Sequence, residues 1–136
     1  MRQRQIFDYV EPDGSRPVIA FIRQLENKLQ QKVWIQLSFL ESSQCELQPP
    51  LVKSFRQSRH KGLFELRVKL QRMVRIIFLV DTSGRVILLH GFIKKKNRAT
   101  EQALETAGAR KLALSTGKAG IKETTTNFIQ RRNLNV

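Results

Sequence analysis

Cysteine, tryptophan and tyrosine each occur once in this chain, as Cys45, Trp34 and Tyr9. A lone thiol excludes an internal disulfide, and no Cys/His cluster has zinc spacing, so neither cross-link nor structural metal is expected. A reducing, cytoplasmic setting fits. Long apolar runs are missing too. The longest uncharged apolar stretch, Val86 to Ile93, is far too short to cross a bilayer. A membrane role would have to be peripheral, and no strongly basic amphipathic helix argues for one. The start, MRQRQIFDYVEPDG, is interrupted by Asp8, Glu11 and Asp13, so it does not read as a secretory signal.

Acidic residues are the other scarcity. There are 11 of them against 25 Lys and Arg, a net charge of +14. Such an excess points to a polyanionic partner: nucleic acid, an acidic protein or an anionic surface. At 136 residues and 40% apolar, the chain is long and hydrophobic enough to fold as one domain without staples. The charge is uneven. Residues 1–57 carry 8 basic and 6 acidic side chains, residues 58–98 carry 11 and 2, and residues 99–136 carry 6 and 3. The anion-binding signal therefore belongs to the middle of the chain.

Periodicity supplies the elements. Residues 3–10 (QRQIFDYV) read as a strand, followed by a turn at Pro12-Asp13-Gly14-Ser15. Ser15 is placed to cap a helix with Pro17 in its first turn. Val18, Ile22, Leu25, Leu29, Val33, Leu37 and Leu40 then recur at threes and fours. One long helix or a helical hairpin fits, with a break favoured near Asn27–Gln30. Residues 46–61 read as irregular, because Pro49-Pro50 cannot continue a helix. Three strands follow: 63–70 (LFELRVKL), 73–80 (MVRIIFLV) and 85–93 (RVILLHGFI). Thr100 is placed to cap a helix from about 101 to 115 that ends at Gly117. The order β-α-α-β-β-β-α predicts an α+β domain over residues 1–115. Its mainly antiparallel four-stranded sheet would carry two N-terminal helices on one face and leave the other partly open. Residues 116–136 form a polar tail, expected to be loosely packed or mobile.

Strand alternation puts Arg67 and Lys69 on one face. A three-residue loop around Gln71-Arg72 places Arg75 opposite Arg67 on that face; a two-residue loop would not. The turn lacks the Gly or Asn of a tight primed turn, which favours the longer loop. Arg75 in an otherwise apolar strand reads either as a salt bridge to Glu65 or Asp81 or as a bidentate phosphate clamp. Gly91 suggests a bulge or a close backbone approach. Lys94, Lys95 and Lys96 follow the third strand and would complete a cationic groove. Crowded like charges disfavour a protonated lysine, which leaves two readings: one lysine there serves as general base on a ribose 2′-hydroxyl while its neighbours stabilise the phosphorane, or the groove holds RNA without cutting it. No metal, cofactor or protein nucleophile is required. His90 reads as an acid or base, or as a packed strand residue. His60 is expected to be solvated, Cys45 inert, and Trp34 packed or at an interface.

The strings PPLVKSF, KGLFELRVK, VRIIFLV and VILLHGFIKK together resemble the phage-derived Gp49-like, HigB-type toxins of the RelE/ParE superfamily, over roughly residues 5–115. The resemblance implies a RelE/ParE-like α+β toxin that cuts mRNA on the ribosome. It also implies a cognate antitoxin, commonly with a helix-turn-helix domain. By resemblance Arg67, Arg75, Lys94 and Lys95 carry over as RNA-binding or catalytic positions, and we take them as the catalytic set; Lys69, Arg72, Lys96, Arg98 and His90 are expected beside them as further RNA-binding residues. The chain departs from the pattern at Val74 and Phe78, where tyrosines are common, and at NRAT, which lacks the usual Lys-Thr-Pro. Two other readings compete with mRNA cleavage. One is a ParE-like inhibitor acting by protein contact on DNA gyrase, and the other is an RNA-binding protein without turnover.

Overall fold

A computed structural model describes residues 4–42, 46–56, 58–95 and 97–124. Strand β1 (Ile6–Val10) leads through a turn into α1 (Pro17–Arg23) and α2 (Asn27–Glu41). Strands β2 (Val52–Ser54), β3 (Leu63–Leu70), β4 (Arg72–Val80) and β5 (Val86–Ile93) follow, then α3 (Asn97–Ser115) and β6 (Gly120–Glu123). The helical stretch is a hairpin, as one of the two readings had it, but it breaks at 24–26, just before the expected Asn27–Gln30. Pro17 opens α1 as expected, whereas Ser15 does not cap it. The residue before α1 is Arg16, which makes no capping bond. Its guanidinium is engaged elsewhere, on the fully buried Asp8 (Nη2 to Oδ1 2.5 Å, Nε to Oδ2 3.0 Å). Thr100 likewise lies inside α3, which begins at Asn97, rather than capping it. Gly117 closes α3 in the left-handed region (φ +73°), with Lys118 N–H donating to the Ala113 carbonyl and Gly117 N–H to that of Leu114.

The expected four-stranded sheet is in fact six-stranded and mixed, in the order β2-β3-β4-β5-β1-β6. β1 runs parallel to β5, through Ile6↔Val86, Phe7↔Ile87 and Asp8↔Leu88. The two strands that periodicity does not reveal are the short edges. β2 has three residues and β6 has four, too few to display a period. β6 lies in the tail expected to be loose, and its partners are remote in sequence. Tyr9 pairs with Ile121, the buried Thr124 donates to Asp8 Oδ1 (2.5 Å), and Arg16 donates to the Glu123 carbonyl (3.3 Å). Residues 125–136 and Cys45 lie outside the described residues.

Each face of the sheet carries a core. On one, Val18, Ile22, Val33, Trp34 and Leu37 of the helical hairpin pack on Leu66, Val68, Ile76, Phe78 and Leu88. Each such side chain contributes about 1.5–3 kcal/mol of burial. The second face, expected to be partly open, is covered along much of its length. Ala103, Leu104 and Ala107 of α3 pack on Leu63, Ile77, Ile87 and Leu89. A β-bulge interrupts the β4–β5 register between Ile77 and Phe78, which pair with His90 and Leu88. Leu89 is the extra residue, so Leu89 and His90 both turn toward the α3 face.

Gly91 sits just beyond this bulge and faces the helical hairpin. A Cβ there would lie 2.5 Å from Cδ2 of Phe21 on α1. The glycine thus sets how closely α1 approaches the sheet. Gly91→Ala is expected to destabilise the fold by about 1–3 kcal/mol in urea unfolding, the usual cost of overpacking. Adding Phe21→Ala should recover part of that loss, a coupling that a double-mutant cycle measures.

Candidate functional site

The hairpin joining β3 and β4 decides where the cations point. Gln71 adopts a left-handed backbone (φ +65°), and the pairs Lys69↔Met73 and Arg67↔Arg75 flank the turn. Leu70 pairs with Arg72 as well, so Gln71 alone joins the strands. The connection is shorter than the expected three-residue loop but keeps the register that sets Arg75 opposite Arg67. Leu63 and Ile77 belong to the α3-side core, so alternation turns Glu65, Arg67, Lys69, Met73 and Arg75 to that same side. Val74 and Phe78, where the resemblance sets tyrosines, are buried in the opposite core. Apolar residues there take nothing away from the cationic face.

Two guanidiniums directly across a strand pair repel. The fully buried carboxylate of Glu65 holds them together. Its Oε1 accepts from Arg67 Nε at 3.3 Å and lies 3.5 Å from Arg75 Nε. Arg75 is 8% exposed. It donates through Nη1 to the Val74 carbonyl (3.3 Å) and through Nη2 to Met73 Sδ (3.8 Å), while its Nε and Glu65 Oε2 have no hydrogen-bond partner among the described residues. Burial lowers the pKa of this guanidinium, the Glu65 carboxylate raises it, and neighbouring Arg67 lowers it further. So the salt-bridge reading of Arg75 holds with Glu65 as partner, while Asp81 binds Arg85 instead (2.6 Å). One carboxylate serves two arginines, which leaves an excess positive charge facing outward.

That charge opens into a cleft of about 340 Å³ lined by Lys32, Gln36, Pro50, Leu51, Arg67, Lys69 and Arg75. Lys32 and Gln36 come from the polar side of α2, which hydrophobic periodicity assigns no role. Lys32 Nζ donates to the Lys69 carbonyl at 2.5 Å and so ties α2 to the end of β3. Lys94 faces the same side as Arg75 and its N–H donates to the Met73 carbonyl (2.8 Å). Its side chain lines a second cleft, with Lys53, Arg56 and Thr100. The expected groove is therefore divided between two clefts, with Arg67, Lys69 and Arg75 in one and Lys94 in the other. Arg72, Lys95 and Arg98 are exposed and line neither. Lys96 lies outside the described residues.

The histidines have structural partners. His60, expected to be solvated, is 4% exposed with Nε2 3.2 Å from Glu101 Oε1. His90 stacks on Phe92 (centroids 5.9 Å apart), and its Nδ1 accepts from Arg110 at 3.2 Å. Arg110 also donates to the Leu89 carbonyl at the bulge (2.8 Å) and lies 5.3 Å over the Tyr9 ring. Burial first, and Arg110 second, lower the His90 pKa to about 4. Among the described residues no group of three or more His, Cys, Asp and Glu is arranged to hold a metal ion, and no helix is long and apolar enough to cross a membrane.

These features define a small α+β protein with a cationic sheet face organised by one buried acid. The sequence profile of the phage-derived Gp49-like proteins (DUF891) matches residues 20–112, and the chain belongs to that family, which is associated with toxin–antitoxin systems. No curated protein matches the chain.

Two predictions follow from this geometry. Glu65→Gln removes the shared counter-charge and is expected to cost on the order of 3 kcal/mol in urea unfolding, since it strands a buried guanidinium. Added inorganic phosphate should raise the variant's midpoint more than the wild type's, because anion binding to the folded state replaces the lost charge. His90 has its own pH window. Its folded pKa of about 4 lies below the ordinary 6.5, so the unfolded chain takes up a proton that the folded chain refuses. Stability present above pH 6.5 is lost as pH falls toward 4. His90→Gln should flatten the urea midpoint over that window, and parallel wild-type and variant profiles would refute the assignment.

Proposed function

We propose that this protein is the toxin of a type II toxin–antitoxin pair and acts as a metal-independent mRNA endonuclease on the ribosome. The observation that carries the reading is the Arg67/Arg75 pair over the buried Glu65. A guanidinium fork binds phosphate bidentately, and here two forks are held on one sheet face with less than their own charge of counter-ion.

In this reading the scissile phosphate lies against Arg67 and Arg75. Their donors are set by β3–β4 pairing and by Glu65 before substrate arrives, so no reorganisation is needed as charge builds on the phosphorane. Lys94, or the exposed Lys95 beside it, removes the 2′-hydroxyl proton. The freed oxygen attacks the adjacent phosphorus, the 5′-oxygen leaves with a proton from a general acid, and a 2′,3′-cyclic phosphate remains. The antitoxin, by charge complementarity, places an acidic segment against the cationic face. Residues 1–115 and the β6 strap form the working unit.

Arg75→Lys is the decisive substitution, because it keeps the charge over Glu65 and removes the planar fork. The expected result is an unchanged melting temperature within a few degrees and a loss of about 100-fold or more in mRNA cleavage, the scale of one lost transition-state donor. The readout is RNA 5′-end mapping after inducible expression, with growth inhibition in parallel. Intact mRNA under the wild-type protein, with lost DNA supercoiling, would replace this reading with gyrase inhibition.

A further inference from the structure

The cleft that takes Lys94 is the larger of the two, about 480 Å³, between β2 and the first turns of α3. Cleavage as described above uses only Lys94 from it. Its other walls are chemically unlike those of a simple anion site. Phe55 is half-buried, packed against the α3-side core and also lining the cleft. The exposed Lys53 places its Nζ 5.4 Å from the Phe55 ring centroid, a solvent-side cation–π contact that a stacking base would displace. Thr100 lines the cleft as well, with a buried hydroxyl that has no hydrogen-bond partner among the described residues. Glu101 adds a half-exposed carboxylate, and Arg56 a third cation.

A plain phosphate site calls for cations alone. An aromatic face, hydrogen-bonding groups at its edge and flanking cations together match an unstacked base with its own phosphates. The position also suits such a ligand. Lys69, Met73 and Lys94 lie in one row across β3, β4 and β5, which spans two strand spacings, about 10 Å. A single strand whose phosphate rests on Arg67 and Arg75 therefore presents a neighbouring nucleotide to this cleft.

We propose that the cleft is a nucleobase pocket for single-stranded RNA. The base stacks on Phe55 with its edge toward Thr100 and Glu101, and its phosphates lie on Lys53 and Arg56, which leaves Lys94 to the cleavage step. The inference rests on the reading of the cationic face as an RNA site and supplies what that reading lacks, a group that distinguishes a base from bare backbone.

The test measures binding by the full chain, separately from cutting. Fluorescence anisotropy compares a 2′-O-methyl RNA oligonucleotide, which cannot be cleaved, with an abasic oligonucleotide of equal length. Wild-type protein is expected to bind the base-bearing strand at least about fivefold more tightly. Phe55→Leu, which keeps the apolar packing, should erase that difference, and Phe55→Trp should keep or widen it. Lys53→Gln with Arg56→Gln should weaken both strands alike and flatten the salt dependence. Equal binding of the two strands by the wild type overturns the pocket. So does a Phe55→Leu protein that melts like the wild type and still discriminates. Base discrimination without mRNA cleavage would sustain the pocket and sink the endonuclease reading. Cleavage without discrimination would do the reverse.

Discussion

The cationic face depends on a buried carboxylate. Arg67 and Arg75 are direct cross-strand partners, an arrangement that repels unless something offsets it. Glu65 provides the offset from two residues along β3, fully buried and within 3.5 Å of both Nε atoms. Because one acid cannot neutralise two bases, the arrangement that makes the pair tolerable also leaves it unsatisfied. A fully paired cluster would be a structural salt bridge with nothing left to bind. An unpaired one would carry the cost of a stranded guanidinium at Arg75, which is 8% exposed.

The rest of the fold positions this cluster from a distance. The bulge at Leu89 turns Leu89 and His90 toward α3, where Arg110 grips the Leu89 carbonyl and the His90 ring together. α3 is thereby locked over β5 and β4, and its first turns come to rest beside β2. On the other face, Gly91 admits Phe21 and brings the helical hairpin close, while Lys32 reaches from α2 to the end of β3. Both helical layers therefore supply groups to the cationic face, Lys32 and Gln36 from one side and Thr100 and Glu101 from the other.

Local pattern was enough for much of this. Alternation in LFELRVKL sorts its side chains between two faces, and the absence of Gly or Asn in the turn argues against a two-residue loop. The connection is Gln71 alone rather than three residues, and it sets Arg67 opposite Arg75 all the same. The helical hairpin is one of two readings that spacing allows, with its break three residues from the expected place, and Gly91 marks a close approach, here of the Phe21 side chain. The misses share a cause. β2 and β6 are too short to carry a period, and β6 exists only through partners more than a hundred residues away, such as Asp8 for Thr124. His60 looked solvated because its polar neighbours in sequence say nothing of α3 packing over it. Lys32 and Gln36 sit on a helix exterior, and Lys53 and Phe55 lie in or just after the three-residue β2, where residue type alone gives no direction.

The closing of the second sheet face changes what the positive charge can do. An open, uniformly basic sheet would attract any polyanion, with little to choose between one and another. α3 instead covers the apolar middle of that face and leaves cations at its margins, in clefts with distinct walls. Pro50 and Leu51 give one an apolar floor beside the arginines, and Phe55 gives the other an aromatic wall beside the lysines. Long-range attraction still comes from the net charge of +14, which governs encounter. Discrimination between polyanions has to come from the walls, because only they offer contacts other than charge.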